Sequence, residues 1–306
     1  MRGFWFAILS LPCLAQIPAT TEQAAELKRM AAAAPKLPLH RTELNVPVPL
    51  EMVSSVATDG KGTFYLLQRG TQSEPVIAVD ASGRVLRSWG RGLYKIPHSI
   101  RVDPRGNIWT TDAASSMVYQ FTPQGKKLLA ISVGEIPEGR SEFRGTTDIT
   151  FGPNGRLFIS DGYGNNRILE YNLQGKRVKQ WGEQGTGPGQ FFLPHGITID
   201  ENNILYVADR ENGRIQRFTL DGKFLGMWTN LGKTFSLTIQ GGALYIGTQP
   251  RNEPNGAPGW LMKVDRQSGR VLGAVESTGH HSVAVTLTGE LLTGTRPDKV
   301  LWFRRK

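Results

Sequence analysis

The chain has 306 residues, 39% of them hydrophobic, with 36 glycines, a net charge of +10 and a pI of about 9.8, so it can bury a large core. Its one cysteine, Cys13, excludes an internal disulfide, and its position within an expected leader excludes cysteine catalysis in the mature chain. The basic residues are scattered (Arg84, Arg87, Arg91, Lys126, Lys127, Arg177, Lys179 and the tail 304–306), which reads as a solvated surface that attracts anionic substrates rather than a nucleic-acid interface.

Residues 1–15 have the form of a secretory signal: Arg2, a short apolar stretch over 4–14, and Ala15 at the cleavage position. The expected address is therefore exported, periplasmic or secreted. Pro12 argues against a lipid anchor on Cys13, and no later apolar run is long enough to span a bilayer. Residues 16–42 read as a linker with a short helix: "TEQAAELKRMAAAA" (21–34) has helical composition, and Pro35 ends it. From Leu44 the texture changes to short alternating apolar runs between turns, the pattern of strands.

Those strands repeat. Six copies open at Ser54, His98, Thr147, His195, Phe235 and His281, as in "HSIRVDPRGNIWTTD", "TDITFGPNGRLFISD" and "HGITIDENNILYVAD". Each reads as four short strands joined by turns rich in Gly, Pro and Asn, at the 40–50-residue period of a propeller. The expected fold is all-β: a six-bladed β-propeller with four-stranded antiparallel blades over residues 43–306. The last copy shows only three clear strands, so residues 43–50 are expected to supply its outer strand and close the ring.

Histidine opens the second, fourth and sixth copies. Alternate blades of a six-membered ring lie about 120° apart, so His98, His195 and His281 should converge on the axis as the ligand set of an open zinc site. His280 competes with His281, but "HSV" matches the "HSI" and "HGI" of the other copies. The end of the second strand returns to the same mouth and brings Arg69, Tyr163 and Arg210 there. Asp148, Asp161 and Asp209 also lie near it. Asp161 and Asp209 read as turn-holding residues, because Asp112 takes the same repeat position.

The phrases "LPHGI", "SDGYGNNRI", "QWGEQGTGPGQF" and "VADRENGRIQ" resemble the peptidyl-α-hydroxyglycine α-amidating lyases, six-bladed propellers of the NHL-repeat type, over about residues 45–306. The resemblance implies that His98, His195 and His281 bind a catalytic zinc, that Tyr163 is the essential tyrosine, and that Arg69 and Arg210 surround the substrate. It also implies departures. Gly164 stands where animal members have a cysteine, and Tyr206 with Gln216 or Arg217 where they have a second pair. Ser282 replaces an aspartate that helps to hold a structural calcium, which puts Ca2+ in doubt. The expectation is that no monooxygenase domain precedes the propeller and that an α-hydroxylated substrate would come from another protein.

The expected activity is thus a zinc lyase that cleaves the C–N bond of a peptidyl-α-hydroxyglycine-like carbinolamide to a primary amide and glyoxylate. Tyr163 would take the hydroxyl proton, and Arg69 and Arg210 would hold the carboxylate of a small-molecule or peptide substrate. The competing readings are a non-catalytic NHL propeller that binds a protein or glycan, and a lactonase-like metal-dependent hydrolase, since one fold serves many functions.

Overall fold

The computed structural model describes residues 20–135 and 142–305. Among these, six four-stranded antiparallel sheets form a ring. Blade 1 runs over residues 53–89, blade 2 over 97–132, blade 3 over 148–181, blade 4 over 194–229 and blade 5 over 233–277. Blade 6 has Ala284–Val285, Leu291–Gly294 and Val300–Arg305, with Leu39–Glu43 as its outer strand. In each complete blade the first strand is innermost and the fourth faces solvent. In blade 3 every residue of Leu157–Asp161 is buried, whereas Arg177–Trp181 is largely exposed.

Turn chemistry explains why the strands stop where they do. Asp103 accepts the backbone N–H groups of Arg105 and Asn107, each at 2.9 Å, and its other oxygen accepts Trp109 Nε1 at 2.9 Å. Asp200 does the same for Asn202 and Ile204 at 3.0 and 2.8 Å, and takes the Tyr206 hydroxyl at 3.0 Å. Each aspartate thereby folds the turn between the first two strands and anchors a buried aromatic from the second.

The closing strand is Leu39–Glu43, not residues 43–50. Leu39 pairs with Arg305 and Glu43 with Leu301. Pro47 and Pro49 lack the N–H groups that a ladder needs. Leu44 adds one last bond to the Val300 carbonyl at 2.9 Å. Leu44, Val46, Val48 and Leu50 then pack into the core between blades 6 and 1. The expected linker holds a docked helix, α1 (Thr20–Ala33), whose Gln23, Ala24 and Leu27 are buried. Leu27 lies among residues of blades 4 and 5, including Ile215, Ile246 and Met262. The expected signal segment, 1–15, lies outside the described residues. No helix among the described residues is long and apolar enough to cross a membrane.

The apolar core is divided into six clusters, one between each pair of neighbouring blades. A fully buried Leu, Ile, Val or Phe contributes about 1.5–3 kcal/mol, so the packed blade interfaces dominate stability. The outer-strand tryptophans Trp89, Trp181 and Trp228 reinforce them by lying over turn glycines of the next blade. A Cβ on Gly125, Gly222 or Gly269 would sit 2.8, 3.0 or 2.5 Å from those indoles. With apolar packing confined to the spaces between blades, the axis is left to polar side chains.

Candidate metal centre

His98 and His195 open the innermost strands Pro97–Val102 and Pro194–Ile199, and His281 lies just before Ala284–Val285. Their ring centroids form a nearly equilateral triangle: 4.8 Å for His98–His195, 4.8 Å for His98–His281 and 4.9 Å for His195–His281. One ligand nitrogen from each ring lies within 4.8 Å of the others. His280 turns elsewhere, with its Nε2 3.0 Å from Gln249 Oε1.

The blades without histidine orient the imidazoles. His98 Nδ1 donates to the Thr147 carbonyl at 2.6 Å, His195 Nδ1 to Phe235 at 2.7 Å, and His281 Nδ1 to Ser54 at 2.8 Å. Thr147, Phe235 and Ser54 are the residues that open the three histidine-free copies. A carbonyl only accepts, so each Nδ1 carries the hydrogen and each Nε2 keeps its lone pair. Carbonyl anchoring of the far ring nitrogen is the usual outer support of a metal-ligating histidine. Burial, with Arg69 nearby, pulls His98 down to about 3. Burial and the neighbouring imidazole hold His195 and His281 well below the ordinary histidine range. Three neutral, convergent nitrogens can hold a metal ion.

Tyr163 covers the triad. Its hydroxyl lies 3.0 Å from His98 Nε2 and 3.2 Å from His195 Nε2. Buried acid–base pairs build the turns that present it and Arg210. Asp161 accepts Arg167 Nε at 2.9 Å and Asn165 Nδ2 at 2.8 Å. Asp209 accepts Arg214 Nε at 2.6 Å and Asn212 Nδ2 at 2.9 Å. The phrases "DGYGNNR" and "DRENGR" are thus turn frames. Gly162 matters because a Cβ there would fall 1.9 Å from the carbonyl of Pro194, the residue before His195. The close approach brings Tyr163 onto the triad.

The two arginines flank the tyrosine. Arg210 is 5% exposed, with its guanidinium 5.8 Å from the Tyr163 ring and 5.0 Å from the Phe235 ring, and it pairs with Glu211 at 2.8 Å. Arg69 donates Nε to the Pro97 carbonyl at 3.1 Å, and its buried Nη2 has no partner among the described residues. Burial lowers its pKa. A buried guanidinium N–H without an acceptor is costly, and a ligand carboxylate is the acceptor that fits it best. All six residues singled out in the sequence therefore meet at one mouth.

Repeat logic missed Phe143. Its ring lies 5.2 Å from Tyr163 and 5.2 Å from the Arg69 guanidinium. It sits in the long blade 2–3 connection, outside the repeat, where no register marks it. The carbonyl role of Thr147, Phe235 and Ser54 was also missed, although the alternation of the copies carried the signal.

Among the described residues the lower channel offers calcium no free carboxylate. Asp148 is the one carboxylate among the residues lining it beneath the histidines, and it already accepts both Nε and Nη2 of Arg101. A calcium ion needs six to eight oxygen ligands.

A model described as a six-bladed β-propeller matches residues 138–235. The chain is 34% identical to the mouse peptidyl-glycine α-amidating monooxygenase over 203 residues, which are 56% of this chain and 21% of that protein. It is 33% identical to peptidyl-α-hydroxyglycine α-amidating lyase 1 of Drosophila melanogaster over 64% of this chain and 40% of that one. It is 27% identical to a probable lyase of the same kind from Caenorhabditis elegans over 76% and 70%. The matched region spans about a fifth of the mouse protein's length. Among solved structures, a streptogramin B lyase superposes with a TM-score of 0.62 at 16% identity, over 88% of this chain and 98% of that one. A putative gluconolactonase gives 0.61 at 13% identity, over 89% and 96%. At such identities these two show the fold alone. The chain is a six-bladed β-propeller whose sequence is similar to the peptidyl-α-hydroxyglycine α-amidating lyases.

Proposed function

We propose that the mouth is the active site of a zinc-dependent lyase that converts a peptidyl-α-hydroxyglycine-like carbinolamide to a primary amide and glyoxylate. The observation that carries this reading is the triad: three neutral imidazoles, each anchored through Nδ1, with their Nε2 atoms turned together beneath one phenol. His98, His195 and His281 would hold the zinc ion, which supplies Lewis acidity toward the substrate hydroxyl when bound.

The protein's own groups do the rest. Arg69 offers an unpaired guanidinium N–H to the substrate carboxylate, and Arg210 stands across Tyr163 to complete the clamp. The Tyr163 oxygen accepts the proton of the substrate hydroxyl. The C–O electrons form the aldehyde of glyoxylate, the C–N bond breaks, and the departing nitrogen takes up the proton that Tyr163 received, leaving as the amide. Arg69 and Arg210 stand on either side of the phenol, where their charges favour the negative charge that develops as the proton moves. Phe143 and Phe235 wall the site and limit the water around the developing charge.

The test is glyoxylate release from an α-hydroxyhippurate-type compound by the zinc-loaded protein. Zinc-dependent release supports the reading. A protein that binds zinc and releases none supports a binding module or another hydrolase. The basic surface and the exported address belong to the same proposal, since a carboxylate-ended peptide outside the cytoplasm suits both.

A further inference from the structure

Blades 2 and 5 stand opposite each other across the ring. Arg101 lies on the innermost strand of blade 2, three residues past His98, on the order of 10 Å further down the channel. Its Nη1 donates to Thr238 Oγ1 at 3.0 Å and its Nη2 to the Leu237 carbonyl at 3.0 Å, both in blade 5. The side chain therefore crosses the axis. Nε and Nη2 also engage the two carboxylate oxygens of Asp148 on blade 3, the former at 2.9 Å.

Asp148 is saturated. Besides Arg101 it accepts Ser99 Oγ at 2.5 Å, the N–H of Ile149 at 2.9 Å and the N–H of Ile197 at 3.2 Å. Thr238 in turn donates to the Val283 carbonyl at 2.8 Å. The space between this network and the histidines measures about 10 Å³, room for roughly one water molecule. Ser282, the residue after His281, spends its hydroxyl oxygen on the N–H of Val56 at 3.1 Å.

The partners fall into a pattern. Ser99 follows His98. Ile197 lies two residues past His195, and Val283 two past His281. Asp148 follows Thr147, whose carbonyl orients His98, and Leu237 lies two past Phe235, whose carbonyl orients His195. One guanidinium–carboxylate pair thus ties the strands of His98 and His195 to two of the three strands that orient the triad, and through Thr238 it reaches the residues after His281.

We infer that Arg101 is a built-in axial cation: paired with Asp148, it does in this chain what a bound divalent ion would do in the channel, and it positions the histidine triad from below. Arg101 is a positioning residue in this account, not a catalytic one. A fixed positive charge at the axis makes the channel independent of calcium, and it explains why a neutral serine suffices at position 282. The inference concerns the channel alone and stands or falls apart from the lyase reading, because its tests read stability and zinc affinity rather than turnover.

The experiment uses the full chain. Thermal unfolding and calorimetric titration with millimolar CaCl2 should show no Tm shift and no binding heat in the unsubstituted protein, with or without zinc. A Tm rise of several degrees, or submillimolar calcium binding, overturns the inference. Arg101→Ser should weaken zinc affinity by about 10–100-fold, as loss of an outer support does, and unchanged affinity would contradict it. Ser282→Asp keeps the arginine, so it must stay insensitive to calcium. The double variant Arg101→Ser/Ser282→Asp removes the built-in cation and adds a carboxylate. It should recover Tm and zinc affinity on calcium addition. If it matches the unsubstituted protein without calcium, the arginine is not acting as the axial cation. Should the double variant fail to fold, the calcium titrations of the unsubstituted protein and of Ser282→Asp still decide the matter.

Discussion

The mouth and the lower channel lie one above the other on the same axis, and they treat polar groups in opposite ways. Below, Asp148 accepts five hydrogen bonds and Arg101 spends three of its nitrogens on oxygen partners. Above, three imidazoles each keep one nitrogen directed at a shared point, and a buried nitrogen of Arg69 has no acceptor among the described residues. The Tyr163 hydroxyl faces two of those imidazole nitrogens, so the mouth, unlike the channel, keeps capacity that a ligand could use. The saturated pair braces the channel, and the mouth is where the proposed metal and substrate would bind.

The sharpest way to break this contrast is at the triad. His195→Ala should reduce bound zinc to background and abolish glyoxylate release while the propeller stays folded, since packing between blades dominates stability. Metal analysis and circular dichroism would check both halves. Zinc content unchanged by this substitution would remove the mouth from the argument.

Tyr163→Phe keeps the ring over the triad and deletes its hydroxyl. We expect kcat to fall by about 10²–10⁴ with zinc retained, the range for a positioned acid or base. Full activity in that variant would leave Tyr163 a packing residue. Arg210→Lys is expected to act more weakly, raising KM about tenfold for a carboxylate-bearing substrate with a smaller change in kcat, because charge survives and the planar fork does not. An equal KM for substrates with and without the carboxylate would contradict the clamp.

The mildest test uses pH. Unfolded imidazoles titrate near 6.5, whereas burial pulls His98 in the metal-free fold down to about 3. Between those values the unfolded chain binds a proton that the native chain does not. Stability of the metal-free protein should therefore fall as pH drops below about 6.5 and be nearly flat above it. A Tm that holds steady from pH 6.5 to 5 in metal-free protein would show that the imidazoles titrate normally.

Repetition made most of this legible in the sequence. Six copies gave the ring, alternation gave the triad, and the common position after the second strand gave Arg69, Tyr163 and Arg210. What escaped notice lies where the repeat is broken or speaks through the backbone. Phe143 sits in a connection with no counterpart in other blades. The carbonyls of Thr147, Phe235 and Ser54 leave no side-chain signature. The closing strand was placed several residues late because the alternation of residues 43–50 looks like a strand, although two prolines prevent it from pairing as one. Nothing in the repeat marks Arg101. Its importance comes from the opposite blade, which only the closed ring brings within reach.

The most direct test of the central claim measures metal and product on the same sample. The account predicts that the purified chain binds one zinc ion through the triad, and that the zinc-loaded protein releases glyoxylate from an α-hydroxyhippurate-type carbinolamide. A chelator should abolish release and added zinc should restore it. Glyoxylate release at full rate without metal, or a fully zinc-loaded protein that releases none, would contradict it.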